Sequence, residues 1–259
     1  MKLYENANAS VLVPRMPILI RVDGRSFHTF TKQFNRPFDP IITNAMDRTM
    51  EALMQECQGS VLGYVQSDEI SILLQTDARP ETQAWFGGKV QKICSIAAAV
   101  ATASFNIELA RTAGVPADAT GFGTHRLFAA HFDARCWNMP WADVANYFLW
   151  RYKDATRNSV SAYARSMFSH KELNKKSVLE MKEMIESRVT GWGDEVYIEC
   201  ENPHDDKPSW PELPSRDRQG LFTTSDRVFN NNFSLNVFKE VDYAMVNDVI
   251  NVVRDNLRK

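Results

Sequence analysis

The sequence lacks the marks of several common protein classes. Its 259 residues include only four cysteines, and no two of them form a CxxC pair, so neither a zinc site nor a disulfide framework is expected. It has no GxxxxGK[ST] loop, which argues against P-loop nucleotide binding. No run of about 18 apolar residues occurs, so no membrane-spanning segment and no membrane partner are predicted.

The N-terminus and the charge balance exclude further classes. No basic region followed by an apolar stretch opens the chain, so a signal peptide is not expected, and scattered thiols are typical of a cytoplasmic protein. A net charge of −2 and a pI near 6.2 argue against a protein that coats nucleic acid non-specifically. Residues 151–188, however, carry nine Lys or Arg against five Asp or Glu. That segment is the better candidate if RNA binds.

Length and composition bound the domain organisation. A chain that is 44% hydrophobic and 24% charged can form an ordinary core, and its length allows one large domain with an appendage. We predict a palm nucleotidyltransferase domain over residues 1–140 and a helical extension over 141–259. The Pro- and charge-rich segment 201–220 is interpreted as a long loop within that extension.

The order of elements favours an α+β, ferredoxin-like palm with an antiparallel sheet and helices on one face. Alternating and 3.6-residue apolar patterns predict strand Pro17–Asp23, helix Pro40–Cys57, a hairpin of Val61–Gln66 and Ile70–Gln75, a helix from Trp85 to about Ala110, and strand His131–Asn138. Strand–helix–hairpin–helix–strand is the split βαβ order, which leaves the second sheet face open. Further helices are predicted at Trp141–Phe168, at Leu173–Arg188 and from about Tyr243.

Two acidic turns stand out on these elements. Asp23-Gly24 ends the first strand, and Asp68 lies at the tip of the hairpin. Carboxylate oxygens are the ligands that hard divalent cations prefer, and a glycine lets its backbone carbonyl approach an ion without a Cβ clash. Glu69 is adjacent but should point to the opposite face, which makes it a supporting residue. Taken singly, each turn is more often an ordinary solvated loop, and both interpretations stay open at this point.

Triphosphate binding would also need cations. Lys89 and Lys92 lie three residues apart and so would share one side of the helix predicted to begin at Trp85. Arg25 and Arg36 flank the first acidic turn. Ordinary surface lysines and arginines are the alternative for all four.

Five motifs, taken in order, resemble the tRNA-His guanylyltransferase family. They are Arg21–His28 (RVDGRSFH), Tyr64–Glu69 (YVQSDE), Trp85-Phe86 at the start of a basic helix, Phe132–Arg135 (FDAR) and Tyr147–Arg151 (YFLWR). Each motif is weak alone, but the set in this order is specific. The similarity covers roughly residues 5–170.

The resemblance implies a magnesium-dependent enzyme that adds nucleotides to the 5′ end of tRNA. Family members activate the 5′ phosphate with ATP or GTP and then extend the RNA in the 3′-to-5′ direction, on a palm that holds two Mg²⁺ ions. It implies Asp23, Asp68 and Glu69 as catalytic residues, with Asp23, the Gly24 carbonyl and Asp68 as metal ligands. The implied nucleotide-contacting residues are Gly24, Arg25, Ser26, Phe27, His28, Arg36, Ser67, Lys89 and Lys92. Family members are often tetramers, so a homo-oligomer is expected.

Several departures limit the resemblance. Arg36 stands where the family commonly has a lysine, and neither the family's Asp-Lys-Asn-Glu type segment nor its later basic-glycine stretch is found past residue 170. Eukaryotic members that act specifically on tRNA-His carry His-Ile-Asn-Asn where this chain has Thr156-Arg157-Asn158-Ser159. A divergent member is therefore favoured, with GMP as the expected addition. A nucleotidyl cyclase built on a similar palm and a non-catalytic RNA- or nucleotide-binding palm remain the alternatives.

Overall fold

A six-stranded antiparallel sheet forms the centre of the molecule. The computed structural model describes residues 1–7, 9–112, 130–190, 221–225 and 238–241. The strands are β1 (Ile18–Gly24), β2 (Ser60–Gln66), β3 (Glu69–Leu74), β4 (Phe132–Asn138), β5 (Leu221–Ser225) and β6 (Phe238–Val241), in the order β4-β1-β3-β2-β5-β6. The first four strands have the split βαβ order, which confirms the ferredoxin-like prediction. β5 and β6 extend the β2 edge and were not predicted.

Seven helices accompany the sheet in the described part of the chain. They are α1 (Lys2–Asn6), α2 (Phe27–Phe30), α3 (Pro40–Glu56), α4 (Val90–Thr112), α5 (Trp141–Met167), α6 (His170–Leu173) and α7 (Val178–Thr190), with 3₁₀ turns at Thr31–Gln33 and Trp85–Gly88. α3 begins where predicted because Asp39 caps it, accepting a hydrogen bond from the Ile41 N–H at 2.8 Å, and Pro40 suits the first turn.

The start of α4 differs from the prediction. Phe86 and Gly87 have left-handed backbone angles, with φ of 53° and 62°, so the chain turns here and the helix starts only at Val90. Lys89 therefore precedes the helix and forms an isolated backbone bridge with Val11. The predicted helical face shared by Lys89 and Lys92 was wrong, because this turn interrupts the helix.

One core fills the space between the sheet and the pair α3 and α4. Alternate residues of β1 and β3 point into it, as a pleated strand requires. The sequence pattern predicts a buried stripe of Phe86, Val90, Ile93, Ala97 and Val100, of which Ile93 and Ala97 are fully buried. The buried stripe of α4 continues through Ala101, Phe105 and Leu109. α4 is long and apolar enough to cross a membrane by length and composition, but it packs here as a core helix.

The opposite sheet face was expected to be open, but in the structure it is partly covered. α5 packs against it, and Val144, Tyr147 and Phe148 are buried with Leu19 and Leu73 in a second core. The Tyr147 hydroxyl lies 2.8 Å from the hydroxyl of Ser71 on β3, which fixes the helix on the sheet. The extension therefore helps to form the wall beside the palm sheet.

Some predictions lie outside the described residues. These are the loop 201–220 and the helix from about Tyr243. The boundary between domains 1–140 and 141–259 stays a prediction. Among the described cysteines, Cys94 and Cys136 are free thiols whose sulfur atoms lie 3.6 Å apart, a proximity that their sequence separation did not indicate.

Phe105 should be among the residues on which stability depends most. Its side chain is fully buried and packs edge-on against Phe27, Phe30 and Phe132. We expect Phe105→Ala to lower the free energy of unfolding by about 3–5 kcal/mol, because it leaves a cavity in a packed core. Ile107→Ala on the same helix is the matched control, since Ile107 is 64% exposed. Equal urea midpoints for the two variants would contradict the packing described here.

Candidate active site

The two acidic turns meet at one end of the sheet. Asp23 pairs with Glu69 in the β1–β3 ladder, and the Gly24 N–H donates a 3.0 Å hydrogen bond to the Asp68 carbonyl oxygen. A Cβ built on Gly24 would lie only 3.0 Å from the Asp68 Cβ. The end of β1 and the hairpin turn are therefore in direct contact, as the sequence had suggested.

Gly24 is required by this close approach. A Cβ at this position would come within 2.4 Å of the Phe27 ring as well as 3.0 Å of Asp68, which real side chains do not tolerate. The turns on either side are strained, since Ser26 and Ser67 have positive φ angles of 53° and 47°. Left-handed conformations at non-glycine residues cost on the order of 1–2 kcal/mol each. Such strain concentrates at functional sites.

Asp23 lies among charges of both signs. Burial raises the pKa of its carboxyl group, and the nearby Asp133 carboxylate raises that pKa further, while Arg21, Arg135 and Arg151 act in the opposite direction. Asp133 is the partner of Asp23 across the β1–β4 ladder. The FDAR motif thus contributes an acid that sequence reasoning did not assign, although the alternation of β4 could have placed it.

Asp68 is the most strongly perturbed acid of this group. Burial and the Asp23 carboxylate raise its pKa to about 6, against the hydrogen bond that the Ser67 hydroxyl donates. That hydrogen bond is 3.0 Å long. No described Lys or Arg forms an ion pair with Asp23 or Asp68. Asp23 and Asp68 are therefore neighbouring carboxylates that feel the charges of nearby arginines without direct ion-pair contact.

Glu69 is held by an arginine on α5. Arg151 donates two hydrogen bonds to its carboxylate, at 2.7 and 2.8 Å, and a third at 3.1 Å to Asp154. Burial raises the pKa of Glu69, and the Arg151 charge opposes that rise. A buried bidentate ion pair of this kind is strong and fixes the orientation of both side chains. Both oxygens of Glu69 are engaged by a cation, which favours a positioning role for this residue.

The residues after the first turn have different surroundings. Phe27 is buried against other rings and supports the turn from beneath, whereas Arg25, Ser26 and His28 are exposed. The Arg25 N–H donates to the His131 carbonyl at 2.8 Å, and this bond ties the turn to the start of β4. His28 Nε2 lies 3.1 Å from the Thr29 hydroxyl.

The predicted cations are only partly brought together. Lys92 is exposed on α4, with its Nζ 4.6 Å from the centroid of the Phe86 ring. Lys89 has an extended backbone conformation and immediately precedes the helix. Arg36 is exposed in the segment between α2 and α3. None of the three forms an ion pair with another described residue.

Comparison with known proteins identifies the family. The sequence model of the tRNAHis guanylyltransferase (Thg1) family matches residues 1–140. A probable tRNA(His) guanylyltransferase of Drosophila melanogaster is 30% identical over 152 residues, which are 58% of this chain and 48% of the fly protein. The match thus spans about half the length of that relative.

Two solved structures extend the similarity over 98% of the chain. A bacterial tRNA(His) guanylyltransferase-like protein in complex with ATP superimposes with a TM-score of 0.77 and 32% identity, covering 98% of this chain and 96% of that one. Its complex with GTP gives a TM-score of 0.69 and 31% identity, with coverages of 98% and 97%. The acid pair lies within the region matched by the family model. The chain therefore belongs to the tRNAHis guanylyltransferase family, and it is a guanylyltransferase-like enzyme.

Proposed function

We propose that this enzyme adds a nucleotide, GMP in the first instance, to the 5′ end of a tRNA or tRNA-like RNA in the 3′-to-5′ direction. The observation that carries the proposal is the contact between the Asp23-Gly24 and Ser67-Asp68 turns. The ATP and GTP complexes of its bacterial relatives support nucleotides of this class as substrates. In this scheme, the RNA 5′ phosphate attacks the α-phosphorus of ATP or GTP and releases pyrophosphate. The nucleotide 3′-hydroxyl then attacks the activated RNA phosphate and releases the nucleoside monophosphate.

The acid pair fits magnesium. No three described His, Cys, Asp or Glu side chains come together as a metal-binding group, so protein ligands alone would not complete a coordination shell. Mg²⁺ is commonly bound by one or two carboxylates together with waters and substrate phosphates. Asp23, the Gly24 carbonyl and Asp68 would supply such a partial set. When bound, the metal ions would neutralise charge on the phosphates and on the leaving pyrophosphate.

The surrounding residues would hold the acids and the nucleotide in place. The Glu69–Arg151 pair fixes the beginning of β3, and with it the backbone that follows Asp68. The Ser67 hydroxyl orients the Asp68 carboxylate by a direct hydrogen bond. Ser26 and His28 are exposed beside the first turn, where they can line a nucleotide pocket, and Lys92 can contact a triphosphate.

Strict tRNA-His specificity is not part of the proposal. Residues Thr156–Ser159 stand where eukaryotic members have His-Ile-Asn-Asn. Position 156 therefore carries an uncharged threonine in place of a histidine, whose charge can change near neutral pH. A broader set of 5′-truncated RNAs is therefore the expected substrate class. The cytoplasmic location and the homo-oligomeric state remain predictions.

Removal of either acid should abolish nucleotide incorporation. We expect Asp23→Asn and Asp68→Asn to lower the rate by about 1000-fold or more, because each takes away an oxygen ligand from a site that needs both carboxylates. The assay mixes the protein with labelled GTP, ATP, Mg²⁺ and 5′-truncated tRNAs and maps the RNA 5′ end. Glu81→Gln is the control, since Glu81 is an exposed carboxylate outside the site.

Three results of that assay would overturn the proposal. Full incorporation by either variant would defeat the metal assignment. Addition at the 3′ end would defeat the proposed direction. A cyclic nucleotide formed without RNA would indicate a cyclase instead.

Asp68 should give the metal-free protein a distinctive pH dependence. Because its pKa is raised from 3.8 to about 6 in the folded state, ionising it costs folding free energy. The stabilising contribution of the protonated Asp68 carboxyl group is thus fully present below pH 4 and is lost as the pH rises through 6. At pH 7 in a metal chelator, ionised Asp68 should lower the free energy of unfolding of the wild type by an amount on the order of 2 kcal/mol. The variant Asp68→Asn should not show this decrease.

Urea unfolding of wild type and Asp68→Asn at pH 4 and pH 7 measures this difference. The variant should be the more stable protein at pH 7 in chelator. Added Mg²⁺ should stabilise the wild type and leave the variant nearly unchanged. Parallel pH profiles for the two proteins would show that Asp68 is not an uncompensated buried acid.

Lys92→Ala should act mainly on nucleotide binding. A lost charge-assisted contact to a triphosphate should raise the KM for GTP about 10-fold or more and change kcat less. Lys171→Ala on α6 is the control, because Lys171 is an exposed lysine on a different element. An unchanged KM in Lys92→Ala would remove Lys92 from the triphosphate site.

A further inference from the structure

A groove near the acid pair is lined by residues that have no role in the proposed catalytic site. It has a volume of about 450 Å³ and lies between β4 and α5, lined by Arg21, Arg135, Trp137, Met139, Asp143, Asn146, Tyr147 and Trp150. Its walls combine three aromatic side chains with two arginines. The aromatic rings form a continuous series, with centroids 5.6 Å apart for Trp137 and Tyr147 and 6.0 Å apart for Tyr147 and Trp150.

Strand pairing orders the groove relative to the acids. Across β1 and β4, Asp23 pairs with Asp133, Arg21 with Arg135 and Leu19 with Trp137. Residues two apart on a strand share a face and are separated by about 7 Å. The acids, the arginines and Trp137 therefore follow one another in a row that leads from the active site into the groove.

The arginine row has an unsatisfied donor. The Arg21 Nε atom is buried without a hydrogen-bond partner, and its ion pair with Glu69 is long, at 4.0 Å. The Arg21 side chain as a whole is 18% exposed, so its guanidinium can meet a ligand in the groove, and phosphate oxygens suit a guanidinium well. A nucleotide lying along the row would place its 5′ phosphate at Arg21 and Arg135 and its base against Trp137 and Trp150, since Tyr147 is itself buried.

Trp150 is prepared for stacking. Its side chain is 54% exposed, which is unusual for the largest apolar residue. The Arg151 guanidinium lies 4.5 Å from the centroid of its ring, and Arg151 is itself fixed by Glu69. The same arginine thus connects the hairpin turn of the active site with the exposed ring of the groove.

The continuation of α5 favours a polynucleotide over a free nucleotide. Trp150, Lys153 and Arg157 are exposed and lie three and four residues apart, so they share one side of the helix. An exposed aromatic followed by cations along one helix face suits stacking of a base and contact with a phosphate backbone. A free nucleoside triphosphate has no phosphate on the far side of its base, so it would not contact Lys153 and Arg157.

We infer that the Trp137–Tyr147–Trp150 groove binds the base of an unpaired 5′-terminal nucleotide of the acceptor RNA, with its phosphate at Arg21 and Arg135. The inference rests on the proposed function for the identity of the RNA, and it adds a site for the base that the acid pair does not supply. It makes Trp150 and Lys153 RNA-binding residues.

Binding measurements with one ligand at a time separate this site from turnover, because RNA and nucleotide are never mixed. The probes are an RNA hairpin with one unpaired 5′ nucleotide, the same hairpin with that nucleotide abasic, and free ATP. We expect Trp150→Ala to weaken binding of the intact hairpin about 10-fold and Trp150→Phe to keep most of the affinity. The abasic hairpin should bind wild type about 10-fold more weakly and lose nothing further in Trp150→Ala, since base and ring form one interaction.

Two further variants sharpen the comparison. Lys153→Ala should reduce the salt dependence of hairpin binding by about one phosphate contact and leave ATP binding unchanged. Tyr4→Ala is the control, because Tyr4 is an aromatic residue that is 80% exposed on α1. Circular dichroism checks that each variant is folded.

Each outcome decides the inference. Equal losses of the intact and the abasic hairpin in Trp150→Ala would overturn it, as would a loss of ATP affinity that matches the loss of RNA affinity. Failure of wild type to bind the hairpin would overturn it too. If base-dependent binding holds while no nucleotide is incorporated into any RNA, the groove stands and the proposed function fails. If incorporation proceeds without base-dependent coupling at Trp150, the proposed function stands and the groove fails.

Discussion

The hydrogen bond between the Gly24 N–H and the Asp68 carbonyl oxygen, 3.0 Å long, joins the end of β1 to the turn of the β2–β3 hairpin. It brings together two acidic turns that are more than forty residues apart in the chain. Only a glycine allows this approach, because a Cβ would meet both Phe27 and Asp68. The electrostatics of the site follow from it, since a carboxylate that is half-buried next to another carboxylate has a raised pKa.

The two faces of the sheet have different tasks. One face is covered by α3 and α4 and forms the larger core, which fixes the register of β1 and β3 and hence the positions of their ends. The other face is shared between α5 and a series of charged residues near the strand ends. Arg151 spans this second face by binding Glu69 with two hydrogen bonds. The helical extension is therefore a structural part of the site.

Sequence reasoning succeeded where the signal was local. Strand β1, helix α3, the hairpin and β4 were predicted within one or two residues, because alternation and helical periodicity report directly on burial. It failed at the start of α4, where Phe86 and Gly87 adopt left-handed conformations that no apolar pattern reveals. It also missed β5 and β6, since β5 pairs with the distant strand β2 and β6 pairs with β5, across a poorly patterned segment.

By itself, the sequence determined the identity of the acids, the glycine between them and the order of elements that could carry them. Periodicity and residue chemistry are properties of short segments, so they can be read without a fold. Tertiary structure decided which groups meet. It placed Asp133 opposite Asp23 and paired Glu69 with Arg151 in an ion pair. It also aligned Trp137, Tyr147 and Trp150 along one groove. These neighbours come from different strands and helices, and only strand register and helix packing bring them within contact distance.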